Sequence, residues 1–390
     1  MDESSLNGQQ GVESWESLAQ ILQIDHPLFE STLFLMGYEF SSNIYLIKGD
    51  YLSLIDPGND YTAFMELFDF GLKPWETKKI VLTHGHMDHA GGAIEIFRGY
   101  PGKVKDLDVE VIVHEAGPQQ FKGMLKEIGC RLTEVRGGET LNLSGFEFEV
   151  IHTPGHTLDG ICLYHADSRT LFSGDTVLPE AMAEVDKSGG GRMDHYLYSL
   201  RTLLKKEIAH VMPGHGGLVR HIGIKVVQDT FEGLIKKVVG LETPWMEGAR
   251  TLAQQGLLEE ALFYSNKELA EHPDNFQALE MKAFLLHDLG RNQEAAEVFD
   301  RVLAQKGDHV YALTGKGTAL MGLGRYQDSL EYFDKALRIQ PQLKEAQVNK
   351  GLALYLAGKP EDAMEIEAFR EEFLRRLKGE LGEKAQPGKP

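Results

Sequence analysis

The sequence predicts a layered α/β domain followed by an all-α helical-repeat domain. Three observations predict it. Short apolar runs alternate with Gly/Asp/Pro turns over residues 28–241, helical patterns sit between some of those runs, and the last third repeats itself at a fixed period. A chain of 390 residues is too long for one compact core, so more than one domain is expected. At 42% hydrophobic and 25% charged residues it is neither a disordered nor a collagen-like chain. The formal charge of −19 argues against binding a phosphate backbone, so no nucleic-acid partner is expected. Two cysteines, Cys130 and Cys162, cannot supply a disulfide framework or a thiolate metal cage and read as reduced packing residues. No apolar run is long enough to span a membrane, and the acidic, polar start lacks a signal-peptide core; a cytoplasmic protein is expected.

In chain order, residues 1–27 stand apart as an N-terminal segment, with Trp15, Leu18, Ile21 and Leu22 spaced to dock as one amphipathic helix. Strand-length runs follow at 31–35, 43–48, 52–55, 80–83, 109–113, 146–151, 161–164, 170–172 and 210–212. Helical patterns fall at 61–70, 91–97, 117–128 and 194–206, which favours layers of both types over an all-β domain. Thr243-Pro244 marks a junction, so 28–241 is read as one domain and 242–377 as the next. In the latter, Gly256, Gly290, Gly324 and Gly358 recur at one spacing, and Ala261, Ala295, Ser329 and Ala363 keep it five positions on. Leu252, Leu286, Leu320 and Leu354 do the same. Each unit reads as helix, Gly-containing turn, helix, with small residues letting neighbours approach and leucines filling between them. The tail 378–390, rich in Gly, Pro, Lys and Glu, is expected to be disordered.

The chemistry concentrates in Thr83-His84-Gly85-His86-Met87-Asp88-His89-Ala90-Gly91-Gly92, directly after an apolar run. Neutral imidazole and carboxylate suit Zn, Fe or Mn, and Gly85 is expected to let the turn fold tightly enough for the ligand types to converge. Four groups on one loop cannot close two metal sites, so more are required downstream. They follow three further apolar runs: Pro154-Gly155-His156-Thr157, Ser173-Gly174-Asp175-Thr176 and Pro213-Gly214-His215-Gly216. Ligands on strand ends are held rigidly, as a preorganised site requires.

In these motifs residues 28–241 resemble the metallo-β-lactamase superfamily, and the later repeats, with Gly324-Arg325-Tyr326 before Phe333, resemble tetratricopeptide repeats. The first resemblance implies an αββα sandwich and a binuclear site. His84, His86 and His156 would bind one divalent metal, Asp88, His89 and His215 the second, and Asp175 both, with zinc expected and iron or manganese the alternatives. It also implies hydrolysis of a small ester, thioester, lactone or related substrate by a metal-bridging hydroxide, with Asp88 able to pass a proton. Asp56, in Asp56-Pro57-Gly58, matches the family's early turn and would support the site from behind its ligands.

The run Ser188-Gly189-Gly190-Gly191-Arg192 is similar to a stretch of glyoxalase II-like members, which makes Arg192 a candidate for a substrate carboxylate or amide oxygen. His195 and Tyr196 are further candidates for substrate contact. Against glutathione thioester specificity, Asp194 stands where that group carries a tyrosine, and repeats replace its helical extension. The repeats imply a protein partner or self-association. Two other readings remain open: an iron-dependent oxidoreductase of the same superfamily, persulfide dioxygenase-like or di-iron, and a repeat scaffold with a secondary catalytic domain.

Overall fold

A computed structural model describes residues 14–99, 106 and 108–384. The chain divides into two compact units, Met1–Ile235 and Lys236–Pro390. Among the described residues, no helix is long and apolar enough to cross a membrane.

The first unit is built on two sheets. One has strands in the spatial order β1 to β7: β1 (Glu16–Ser17), β2 (Thr32–Leu35), β3 (Ile44–Lys48), β4 (Leu52–Ile55), β5 (Thr77–Val81), β6 (Glu110–His114) and β7 (Arg131–Val135). The first four pair antiparallel, and β4 to β7 run parallel. The other sheet has the order β12-β11-β10-β9-β8, from β8 (Thr140–Leu143), β9 (Phe146–His152), β10 (Ile161–His165), β11 (Thr170–Gly174) and β12 (His210–Pro213). Its one parallel pair is β11 with β12.

Alternation along the strands explains why both faces of the first sheet are buried. Leu46, Leu54, Ile80 and Val111 point to one side, where they pack with Phe64, Ala93, Phe97, Phe121 and Leu125 of the helices Tyr61–Glu66, Met87–Gly99 and Gln119–Ile128. Their neighbours Ile47, Ile55, Val81 and Ile112 point to the other, against Phe148, Val150, Leu163, Phe172 and Met212 of the second sheet. The helices Met193–Leu203 and Gly223–Val239 bury Tyr196, Leu197, Leu200, Val227 and Phe231 in turn, completing the αββα sandwich.

Residues 14–27 belong to this unit rather than standing apart. Glu16 and Ser17 pair with β2, the Trp15 indole donates to Ala63 O (2.7 Å), and Leu18 and Leu22 of the short helix Leu18–Leu22 are buried. Residues 1–13 lie outside the described residues. Strands β7 and β8 and the helix Gly223–Val239 have no counterpart in the sequence reading.

The second unit is a succession of paired helices. The pairs are Trp245–Gln254 with Leu258–Glu271, Phe276–Asp288 with Asn292–Gln305, and Val310–Gly322 with Tyr326–Ile339; Lys344–Leu356 and the short Pro360–Glu365 follow. The recurring glycines Gly256, Gly290, Gly324 and Gly358 all take positive φ, between 74° and 79°, at the turn between helices, which is the conformation glycine adopts at least cost. Ala261, Ala295, Ser329 and Ala363 are fully buried, as close helix approach demands. Phe333 packs onto Gly317 and Phe299 onto Gly315. Lys316 and Lys350, one repeat apart, reach back to Asp300 and Asp334 of the preceding helix. The last helix runs Glu367–Lys384, past the expected start of a disordered tail, because no proline interrupts it and Glu372 pairs with Arg375 and Arg376 one turn on. Residues 385–390 lie outside the described residues.

Candidate metal centre

Five strands end on one rim of the sandwich, and each delivers its polar residues there. β4 leads to Asp56, β5 to His84 and His86, β9 to His156, β11 to Asp175 and β12 to His215, while Asp88 and His89 open the helix Met87–Gly99. The structure brings together seven potential ligand groups in three overlapping sets: His84, His86 and His156; His84, His89 and Asp175; Asp88, His89 and His215. In each set the ligand atoms lie within 4.8 Å of one another. His86 Nδ1 is 3.1 Å from both His84 Nε2 and His156 Nε2. His215 Nε2 is 3.2 Å from His89 Nε2 and 3.1 Å from Asp88 Oδ2. Asp175 lies between, its Oδ1 3.2 Å from His89 Nε2 and its Oδ2 3.7 Å from His156 Nε2.

The outer nitrogens fix which way these rings are protonated. His89 Nδ1 donates to Asp56 Oδ2 (2.8 Å), His86 Nε2 to Asp186 Oδ2 (3.0 Å), and His156 Nδ1 to the Glu184 carbonyl. Thr83 Oγ1 donates to Asp56 Oδ2 (2.6 Å) and so accepts from His84 Nδ1 (3.2 Å). His84, His86 and His156 thereby spend their one neutral proton outward and turn a lone pair inward. Lone pairs 3.1 Å apart with no proton between them repel, and a cation is the group that makes such a convergence favourable. Asp175 Oδ1 is buried with no hydrogen-bond partner among the described residues, a further demand for positive charge. The donor set of five imidazoles and two carboxylates therefore fits a pair of divalent metals.

Electrostatics treat the two buried rings differently. Burial, with His89 nearby, holds the His84 pKa well below its ordinary value, which keeps that ring neutral. Burial also works against a charged His89, but Asp56 and Asp175 outweigh it and raise its pKa well above the ordinary value, so without a cation its Nε2 carries a proton toward Asp175, one that a metal at this position would displace. For Asp175, burial is likewise outweighed, here by His89 and His84, and its pKa is lowered. His84 and His89 form the floor, while the His86 and His215 side chains, each 34% exposed, mark the mouth.

Glycines make room for this arrangement. A Cβ on Gly214 would lie 2.4 Å from Asp175 Oδ1 and 2.5 Å from the His89 ring. Gly85 works differently from the sequence expectation. Its φ is not positive; a Cβ there would meet Pro118 at 2.4 Å, so it yields space to the neighbouring loop rather than tightening its own turn.

Asp56, at φ 48°, is buried at the first sheet's rim and serves two ligands, His89 directly and His84 through Thr83. Neither Arg192 nor His195 joins the cluster. The Arg192 guanidinium is bidentate with Asp194 (3.0 and 2.7 Å), and His195 Nδ1 is buried without a hydrogen-bond partner among the described residues. Tyr196 is fully buried, and its hydroxyl donates to the carbonyls of Asp175 and Thr176, so it braces the Asp175 turn instead of meeting substrate. Four contributors escaped the sequence reading, the Thr83 relay being one. Asp186 and Glu184 hold His86 and His156, and Asn43 clamps the His215 turn by donating to Pro213 O and Gly216 O. Each acts through hydrogen bonds to residues distant in sequence, with no spacing that marks it.

A family model of the metallo-beta-lactamase superfamily matches residues 37–215. The first domain belongs to that superfamily. Tetratricopeptide repeat models match residues 246–310 and 314–371. Against curated proteins, the metallo-β-lactamase domain is 27% identical over 188 residues to an atrochrysone carboxyl ACP thioesterase of Aspergillus fumigatus, covering 47% of this chain and 40% of the relative. It is 32% identical over 154 residues to a hydroxyacylglutathione hydrolase of Pseudomonas entomophila, covering 39% of this chain and 52% of the relative. The matches thus span about half the length of these two relatives or less. A metallo-beta-lactamase family protein of Thermus thermophilus superposes with a TM-score of 0.44 at 20% identity, over 56% of this chain and 85% of that one.

Proposed function

We propose that the metallo-β-lactamase domain is a binuclear metal-dependent hydrolase acting on a small acyl substrate, and that the tetratricopeptide repeats bind a protein partner or a second copy of the chain. The observation that carries the first part is the inward convergence of lone pairs from His84, His86 and His156, whose outer nitrogens are tied to Thr83, Asp186 and Glu184. His84, His86 and His156 would hold one cation, Asp88, His89 and His215 the other, and Asp175 both. When bound, a pair of divalent cations, zinc first among them, supplies Lewis acidity, making water acidic enough to attack near neutral pH and polarising an acyl oxygen.

The protein's own groups set the rest. Buried His84 and His89 exclude water from the floor, so approach is from the mouth between His86 and His215. Asp88 stands at that mouth, one third exposed and bonded to His215 Nε2. Burial alone would raise its pKa, but His215 and His89 outweigh it and keep the carboxylate ionised, able to take up a proton released beside it. Of the two relatives, one is named a thioesterase and the other a hydrolase of an acylated glutathione, so thioesters head the substrate panel.

The test is metal quantification on protein purified without added metal, followed by turnover of thioesters, lactones and phosphodiesters. Two equivalents of metal and hydrolysis of at least one acyl substrate are expected. His86→Ala should lose metal and activity while the far-UV signal of the repeats persists. Unchanged turnover in that variant refutes the assignment.

A further inference from the structure

Two of the three rings in the first ligand set take their orientation from one stretch of chain, residues 184–191, which contains neither helix nor strand. Glu184 O accepts from His156 Nδ1, and Asp186 Oδ2 accepts from His86 Nε2 at 3.0 Å. The same stretch is laid along the His156 turn by main-chain bonds: Asp186 N to His156 O (2.8 Å), Leu158 N to Gly189 O (2.9 Å) and Gly191 N to Asp186 O (2.7 Å). Asp186 is the knot of this arrangement. Its second oxygen accepts from Ser188 N (2.8 Å) and Ser188 Oγ (2.6 Å), so one carboxylate ties the loop to itself and to a ring of the cluster. A Cβ on Gly191 would lie 2.2 Å from His156 O and 2.7 Å from Asp186 O, which shows how closely the stretch lies against the ligand turn. The Asp88, His89 and His215 set takes no hydrogen bond from it; its anchor is Asp56.

We propose that Asp186 is the positioning residue of the His84/His86/His156 cation position, and that through it the order of residues 184–191 and the occupancy of that position form a single equilibrium. This rests on the metal reading above. His86 is the most exposed ring of its set, so packing does little to hold it. The Asp186 carboxylate keeps the proton on Nε2 and makes Nδ1 the more basic donor; without it the ring is free to turn or to change tautomer. Linkage makes the effect reciprocal: a cation that requires the oriented ring stabilises the loop that orients it.

The experiment titrates Zn(II) and Co(II) into the metal-stripped full chain against a competing chelator, with amide hydrogen exchange read over residues 184–192. The wild type is expected to bind two equivalents, with loop amides exchanging faster after stripping. Asp186→Ala should weaken one equivalent by about 10–100-fold and leave the other unchanged. Its loop should exchange fast even when the remaining equivalent is bound. Asp186→Asn, whose single oxygen can accept from His86 or from Ser188 N but not from both, should weaken the same equivalent less than Asp186→Ala does. Wild-type affinity for both equivalents in Asp186→Ala overturns the proposal, as does equal weakening of both equivalents, or loop exchange indifferent to metal in the wild type. A wild type that binds no metal fails at the first step and defeats the functional reading together with this one.

Discussion

Replacing Asp56 with asparagine isolates what one charge does behind the candidate metal centre. Asparagine tolerates positive φ nearly as well as any residue bearing a Cβ, so the backbone at φ 48° is undisturbed, and the volumes are nearly equal. The hydrogen bonds do not all survive. Asp56 accepts from Thr83 N (2.7 Å) on Oδ1, and from Thr83 Oγ1 (2.6 Å) and His89 Nδ1 (2.8 Å) on Oδ2. An amide offers one oxygen and one NH2, so whichever way it turns, one of these contacts becomes donor facing donor. Leaving a buried group unsatisfied costs about 1–3 kcal/mol, so the metal-free variant should unfold more easily by that amount. If the amide nitrogen takes the Oδ2 position, His89 can relieve the clash only by moving its proton to Nε2, which removes a lone pair from the cluster. Metal affinity at the Asp88/His89/His215 position should then fall about 10–100-fold, or roughly 1.4–2.7 kcal/mol. Chelator-competition titration and denaturant unfolding of the stripped protein read the two effects separately. Wild-type affinity for both equivalents in Asp56→Asn would show that the carboxylate does not govern His89, and the tautomer argument would fall with it.

Three further outcomes are expected. Gly191→Ala places a methyl 2.2 Å from His156 O, a backbone atom that cannot step aside, so the loop must shift; a loss of about 1–3 kcal/mol and reduced metal content follow, and normal values for both would contradict the close packing. His210 is buried, and burial followed by His221 pushes its pKa down to about 4 from 6.5. Because the folded pKa is the lower one, the contribution of neutral His210 is complete above about pH 6.5 and is lost as pH falls toward about 4. Denaturation midpoints of the stripped protein should therefore drop more steeply between about pH 7 and pH 5 than those of His210→Asn, and parallel curves would refute this. Phe333→Ala empties a fully buried position against Gly317 and should destabilise the repeats by about 3–5 kcal/mol, seen in the helical signal, with metal content unchanged.

The parts of this architecture that were legible in the sequence are those that leave a pattern. A period carried by Gly256, Gly290, Gly324 and Gly358 announces the repeats because each glycine meets the same backbone demand. Histidines and aspartates placed just after apolar runs announce the centre, since a strand end is where a rigid sheet can present a side chain. Strands β7 and β8 were missed because Arg131–Val135 and Thr140–Leu143 are short, polar and only partly buried, so neighbouring strands rather than alternation define them. Asp186, Thr83 and Asn43 were missed for a different reason. Each matters through a bond to a residue distant in sequence (Asp186 to His86, Asn43 to Pro213) or through a relay, as Thr83 links Asp56 to His84. Nothing about a lone aspartate before a Gly-rich run, or a threonine before a histidine, reveals such partners until the chain is folded.

The seven converging side chains are divided between the two sheets: His84, His86, Asp88 and His89 follow β5, whereas His156, Asp175 and His215 follow β9, β11 and β12. No portion of the chain translated before residue 215 can assemble the whole constellation, so filling both cation positions would have to wait until both halves of the sandwich are present. An ion held between them would then act as a rivet across the seam between the layers. Starvation for metal would on this account shorten the lifetime of the domain as well as silence it, leaving a loosened sandwich open to proteases.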